Sequence, residues 1–263
     1  MAGWTQKALA EKAAGMEPES ALAWLLEISP ETNGKADKLI DAQLRKIGKL
    51  EAERARLAGL RTLEADFWRE GYRFVGGIDE AGRGPLAGPV VAACVILPED
   101  VWLEKLDDSK KLSAAVRDRL FDEIKHKSIA WGVGICDQTY IDRMNILNAT
   151  KKAMILAVGA MKQAPDALII DAVHLDLPLR QLSIPKADER CAAVAAASVL
   201  AKVTRDRIMD AHDTEYPEYG FLRNKGYGTA EHVEAIHKHG LTVLHRRSFT
   251  HGILAGGGIM DAD

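Results

Sequence analysis

Apolar residues along this chain fall into two textures. Over roughly the first seventy positions they recur at three- and four-residue steps: Ile40, Leu44, Ile47, Leu57, Leu60, Leu63 and Phe67 are separated by charged residues. That spacing predicts one amphipathic helix from near Ala36 to Trp68, ended by the Gly71 region. PESALAWLLEI predicts a helix before it, and Thr5 is placed to cap a first short one. From Tyr72 onward the apolar residues gather into short β-branched runs: YRFVGGID, PVVAACVIL, SIAWGVGIC, DALIID ending at Asp171, and Gln181 to Ile184. These read as strands, the first two paired antiparallel. Helices are predicted between them, from Ala114 to His126 with Ser113 as cap, from Thr139 to Gln163, through a long Ala-rich segment opened by Asp188, and from Thr229 to Gly240. The tail AGGGIMDAD is expected to fray. No internal repeat is seen. The order suggests an α/β layer structure divided as 1–70, a helical extension; 71–252, the main domain; and 253–263, a flexible tail.

Composition narrows this picture only a little. The chain has 263 residues, 47% apolar and 28% charged, ordinary for a soluble globular protein. No run approaches the roughly 18 apolar residues of a membrane span, and the N-terminus lacks the pattern of a signal peptide. A cytoplasmic protein with no membrane attachment is expected. Cys94, Cys136 and Cys191 are far apart and form no CxxC pair, so reduced thiols are expected. A net charge of -3 gives no general pull toward nucleic acid. His232, His237, His239, His245 and His251 match no common zinc spacing.

The stretch GIDEAGRGPLAGPVVAACVIL, Gly77 to Leu97, carries the first candidate chemistry. Its glycines, Gly82, Gly84 and Gly88, lack the dinucleotide-binding spacing, and a strand rather than a helix follows. No Lys-Ser or Lys-Thr closes a Walker loop. Asp79 and Glu80 put two hard oxygen donors at one strand end, the kind of ligand pair that Mg²⁺ takes beside water and phosphate. A polar strand end is the plainer reading of the same two residues, and a tight hairpin turn is the plainer reading of Gly82-Arg83-Gly84. Asp171 ends another apolar strand, where an unpaired buried acid would be costly, and Asp188 has the position of a helix cap. Spacing leaves open whether the four acids converge.

Six ordered motifs then bear a resemblance: GIDEAGRGPLAGPVV, DSKKLS, LIIDAV, AAASVLAKVTRDR, NKGYGT and HRRSF, from about Tyr72 to Phe249. Together they resemble bacterial ribonuclease HII. The resemblance implies a ribonuclease H-like mixed sheet flanked by helices, with the N-terminal extension and C-terminal helices outside it. It implies an endonuclease that cuts at ribonucleotides embedded in duplex DNA or in RNA–DNA hybrids, with a part in ribonucleotide removal during repair and replication. The family's catalytic and metal-binding acids fall on Asp79, Glu80, Asp171 and Asp188, expected to hold two Mg²⁺ or Mn²⁺ ions. Hydrolysis on the 5′ side of the ribonucleotide, leaving 3′-hydroxyl and 5′-phosphate ends, is the expected reaction. Gly82, Arg83 and Gly84 are expected to grip the sugar-phosphate backbone, and Tyr227 matches the tyrosine that packs on the sugar at the RNA–DNA junction. Ser109, Lys110, Lys111, Lys202 and Arg205 are candidates for flanking phosphates. The protein is expected to be a monomer. The related ribonuclease HIII is disfavoured by the GRG turn and Asp188, and a binding protein with a dead site by the four intact acids. Many family members look shorter at the N-terminus, so nothing carries over to residues 1–70.

Overall fold

The computed structural model describes residues 4–254. It divides into two compact units, the first ending at Gly59 and the second beginning at Leu60. In the first unit, α1 (Gln6–Ala14) is capped as predicted, Thr5 accepting from the Ala8 N–H at 3.2 Å. It is followed by α2 (Pro18–Ile28) and most of α3 (Asp37–Leu60). Leu9, Ala13, Ala21, Leu25 and Ala36 form its small core. Trp4 and Trp24 meet edge to face beside it, with the Lys12 ammonium 4.7 Å from the Trp24 ring.

The predicted single helix from Ala36 to Trp68 is in fact two. After α3 the chain turns at Arg61 and resumes as α4 (Thr62–Arg69). The Arg61 guanidinium donates to the carbonyls of Val101 and Pro98, contacts with a distant loop that periodicity does not report.

The second unit continues with β1 (Val75–Ala81), β2 (Val90–Ile96), α5 (Ala114–Lys127), β3 (Ala130–Cys136), α6 (Gln138–Met144) and α7 (Ile146–Gly159). Then come β4 (Ala167–Asp171), β5 (Arg180–Ile184), α8 (Ala192–Asp213), α9 (Phe221–Asn224), α10 (Ala230–His239) and α11 (Arg247–Leu254). The five strands make one mixed sheet in the order β3-β2-β1-β4-β5. β1 pairs antiparallel with β2, as predicted, and β2 with β3, while β1–β4 and β4–β5 are parallel. β2 carries no polar side chain because both its faces are covered and every residue is buried. One face receives α7, through Ile78, Ala92, Cys94, Ala153 and Ala157. The other receives α8, so close at Gly77 that a Cβ there would lie 2.2 Å from the Ala193 carbonyl carbon. Side chains alternate along a strand, so Asp79 shares the α8 face with Gly77.

Three predicted boundaries move. The helix expected over Thr139–Gln163 breaks at Asn145, whose φ of 68° and ψ of 165° are a strained combination for a residue with a Cβ, and whose side chain caps α7 by accepting from Asn148 N–H at 3.0 Å. The Ala-rich helix is not opened by Asp188. It starts at Ala192, because Lys186 takes a left-handed conformation (φ 57°) and Ala187–Glu189 form a single 3₁₀ turn instead. The carboxylate at the start of α8 is that of Glu64 in α4, which accepts from the Ala193 N–H at 2.9 Å. A further helix, α11, follows the predicted last one. It buries Ile253, so the segment expected to be a tail from 253 is helical to Leu254, and AGGGIMDAD lies outside the described residues. No helix among the described residues is long and apolar enough to cross a membrane.

Candidate active site

Parallel pairing of β1 and β4 sets the frame of the site. The register ends at Ile78 opposite Ile170, so the next residues along, Asp79 and Asp171, leave adjacent strands at the same level. The backbone turns sharply after Asp171, where Ala172 has a φ of 51°, a strained value for a residue with a Cβ. Asp171 Oδ1 accepts from the Ala187 N–H at 3.1 Å. That bond draws the 3₁₀ turn, and with it Asp188, toward the strand ends.

The electrostatics report the same neighbourhood. Burial pushes the Asp79 carboxyl well above the usual range, and Glu80, Asp188 and Asp171 push it further. Burial also raises Glu80, opposed by the Arg83 guanidinium, which donates to Glu80 Oε1 at 3.2 Å. Asp188 is pushed up to about 6 by burial, then by Asp108 and Asp171. Asp108, itself buried, is thus a close acidic neighbour of Asp188. Burial would lower Lys110, but Asp108, Asp188, Asp79 and Asp171 outweigh it and raise the ammonium's pKa. The four acids named from the sequence thus share one patch of negative potential, with Lys110 facing it.

A divalent cation fits this patch by donor chemistry. The donors are hard carboxylate oxygens with no sulfur among them, and Glu80 Oε2 is buried with no hydrogen-bond partner. Among the described residues, no three His, Cys, Asp or Glu side chains stand at the spacing of a preassembled metal cage. What is present is an electrostatically coupled group of acids.

Beside the acids, the turn and Tyr227 come together. Gly82 has a φ of 93°, and a Cβ there would strike Arg205 Nε at 2.1 Å; a Cβ on Gly84 would only touch Tyr227 Cε1, at 3.9 Å. Tyr227 is 43% exposed. Arg83 is exposed at its head.

The remaining sequence candidates divide. Lys110 and Lys111 are exposed, though Lys111 also pairs with Glu189 at 3.1 Å and Asp107 at 3.5 Å. Ser109 is buried, its hydroxyl bonded to that of Ser198 at 2.7 Å, and therefore faces inward rather than toward a phosphate. Lys202 pairs with Asp206 at 2.7 Å. Arg205 is wholly buried and donates to the carbonyls of Pro89 (2.9 Å), Ala87 (3.0 Å) and Lys225 (2.9 Å). The expectation of a phosphate contact at Arg205 is corrected: its bonds go to backbone carbonyls of the glycine hairpin and of the loop before Tyr227.

Sequence reasoning missed Asp108, buried against Asp188 although it opens the quoted DSKKLS. It also missed Arg246, in HRRSF, a second buried guanidinium behind the turn.

The site lies within the segment that known proteins share. The ribonuclease HII family pattern matches residues 76–252. The ribonuclease HII of Acetivibrio thermocellus is 50% identical over 251 residues, covering 95% of this chain and 98% of its own. That of Enterococcus faecalis is 53% identical over 182 residues, covering 69% and 71%. Among solved structures, the ribonuclease H2 of Pyrococcus horikoshii superposes with a TM-score of 0.58 at 25% identity, over 67% of this chain and 93% of its own. An acid group at the ends of two parallel strands, on this sheet and within this matched segment, makes the chain a member of the ribonuclease HII family, an endoribonuclease with the ribonuclease H fold.

Proposed function

We propose that this protein is a metal-dependent endonuclease that hydrolyses the phosphodiester on the 5′ side of a ribonucleotide embedded in duplex DNA, and cuts the RNA strand of RNA–DNA hybrids, leaving 3′-hydroxyl and 5′-phosphate ends. The observation that carries this reading is the juxtaposition of the coupled acids with a glycine turn and a half-exposed tyrosine, Tyr227, which lies against Gly84. Asp79, Glu80, Asp171 and Asp188 would hold two Mg²⁺ or Mn²⁺ ions, whose charge promotes attack on phosphorus and departure of the 3′-oxygen. Asp79 and Asp171 are presented by a rigid sheet, which fixes donors better than a loop does. Glu80 is within reach of Arg83, so its carboxylate is exchangeable between the guanidinium and a cation.

Gly84, with no Cβ and only the Tyr227 ring beside it, lets the backbone approach a 2′-hydroxyl, the group that separates RNA from DNA. The Tyr227 ring offers a flat face for the neighbouring sugar. Arg83, Lys110 and Lys111 present exposed cations to phosphates. Lys202 serves the same purpose if its pair with Asp206 opens. The biological role that follows is ribonucleotide removal from DNA, by a cytoplasmic monomer.

The test is cleavage of a duplex carrying one ribonucleotide, with Mg²⁺ or Mn²⁺, alongside Asp79→Asn. Expected are a single cut on the 5′ side and loss of cleavage in the variant. Products ending in a 2′,3′-cyclic phosphate would refute the reading, since they signal attack by the ribose hydroxyl itself. Cleavage confined to long hybrids would reassign the substrate to the ribonuclease HIII type, and binding without any cleavage would make the protein a binder.

A further inference from the structure

The segment just before α11 reaches both substrate-facing pieces at once. Arg246 is completely buried, and its guanidinium is held by backbone carbonyls. Its guanidinium donates to the carbonyls of Gly82 (2.6 Å), Arg83 (2.9 Å), Gly88 (2.9 Å) and Pro89 (3.2 Å), gripping the turn from behind along its length. Its backbone N–H donates to Leu86 O at 2.8 Å, locking the same hairpin.

One residue earlier, His245 reaches the other piece. Its Nε2 lies 3.1 Å from His232 Nε2, and His232 Nδ1 lies 2.9 Å from the carbonyl oxygen of Tyr227. A carbonyl only accepts, so His232 carries its hydrogen on Nδ1 and accepts at Nε2. His245 must then donate from Nε2 and accept at Nδ1. It does accept there, from the Thr242 N–H at 2.9 Å. Both ends of the chain of bonds therefore demand the same pair of neutral tautomers, with no conflict. The rings are held by Tyr219, 5.1 Å from His245, and Phe221, 5.4 Å from His232, which leaves them little freedom to turn.

We propose that the dipeptide His245-Arg246 is a two-ended positioning element, which holds Tyr227 against the Gly82-Arg83-Gly84 turn and so sets the width of the slot that receives the ribose-bearing strand. The inference rests on the substrate reading of the turn and Tyr227 given above. Neither residue touches the substrate: His245 acts through His232 on the Tyr227 backbone, and Arg246 acts through the turn's carbonyls. Adjacent residues extended from one backbone transmit no slack between the two pieces, which separate anchors would allow.

The test is a pair of double-mutant cycles read as kcat/KM on duplex DNA with one ribonucleotide, with Tm measured on every variant. His245→Phe keeps a ring in the packed site but breaks the bonds to His232 and Thr242. It is expected to lower kcat/KM roughly tenfold, the size of one stranded buried hydrogen bond, mainly by raising KM. His245→Gln, whose amide can donate toward His232 and accept from Thr242, is expected to recover most of that loss. In a Tyr227→Ala background, His245→Phe should remove less than about a further twofold, because the group it positions is gone. Arg246→Lys with Arg83→Ala forms the second cycle with the same expectation, and keeps the test available should His245→Phe fold poorly. Losses that multiply in both cycles, or full activity in His245→Phe, overturn the proposal. If the wild-type enzyme cuts only long hybrids, the substrate reading fails separately, and the same cycles run on hybrid still decide the positioning claim.

Discussion

The two glycines of the GRG turn do different work, and the difference is measurable. Gly82 sits at φ 93°, and a methyl group there would meet Arg205 Nε at 2.1 Å, Arg205 Cδ at 2.4 Å and Pro89 O at 2.8 Å. Gly82→Ala thus combines a left-handed backbone penalty of about 1–2 kcal/mol with overpacking of about 1–3 kcal/mol. Arg205 cannot yield cheaply, because it is buried and its three carbonyl bonds hold the surrounding loops. A loss of about 2–5 kcal/mol corresponds to a Tm lowered by roughly 5–15 °C for a unit of this size. Gly84 is the contrary case. Its φ lies outside the left-handed range and the nearest atom to an added Cβ is Tyr227 Cε1 at 3.9 Å, an ordinary contact. Gly84→Ala should leave Tm unchanged or slightly raised, by up to about 1 kcal/mol of reduced unfolded-state entropy. If the backbone at Gly84 approaches a ribose, that same methyl group blocks it, and kcat/KM on a single-ribonucleotide duplex should fall by at least about tenfold, for about 1.4 kcal/mol or more of lost contact. Differential scanning calorimetry and initial-rate cleavage on the two variants decide the matter. A Gly84→Ala enzyme that is stable and fully active would refute the idea that this face of the turn meets the sugar.

Other expectations follow from the same coordinates. Asp79→Asn removes one buried charge from a group of acids that oppose one another, so Tm should rise in metal-free buffer while cleavage is abolished; a lower Tm would contradict the mutual repulsion. Truncation before Leu60 retains Glu64 at the head of α8, whereas truncation through residue 70 removes it, so the shorter product should lose at least about 1–2 kcal/mol more stability, as should Glu64→Ala in the full chain. Equal melting curves for the two truncations would count against that cap. For His245, burial and the neighbouring His232 lower the pKa from 6.5 to about 4. The unfolded chain therefore takes up a proton that the native state refuses. Stability from this group is complete above pH 6.5 and is lost as pH falls toward 4, amounting to about 3 kcal/mol at about 1.4 kcal/mol per pH unit. Denaturant titrations at pH 7 and pH 5 should show that slope in the wild type and a shallower one in His245→Phe.

Much of the framework is legible in the residues because it is local. The runs at VVAACVI and ALIID can only be covered strands, and both appear where their composition puts them. Asp79 and Asp171 are legible as acids in places where folding alone has no use for them. What escaped the sequence is what distance decides. Asp188 looks like a helix cap, yet the carboxylate that meets the Ala193 N–H at the start of α8 comes from Glu64, 129 positions before Ala193. Arg205 reads as a surface cation on an amphipathic helix, and becomes a buried donor only because carbonyls of another hairpin arrive against it. The breaks at Arg61 and Asn145 fall inside unbroken periodicity, and only the backbone angles at each residue reveal them. Asp108 and His245 belong to motifs that were recognised as motifs, but their partners, Asp188 and His232, are supplied by folding.

The pairing of β1 with β4 has a consequence for how this enzyme can fail. Two acids delivered by strands 92 positions apart in the chain stand level only in a single alignment. Sliding either strand by one residue would swap the faces of its acid and its isoleucine, forcing the acid into the apolar layer under α7 and pulling the isoleucine out of it. A chain that assembles wrongly forfeits its chemistry and its cohesion in the same step, so a stable but miswired form of this nuclease has no arrangement in which to persist.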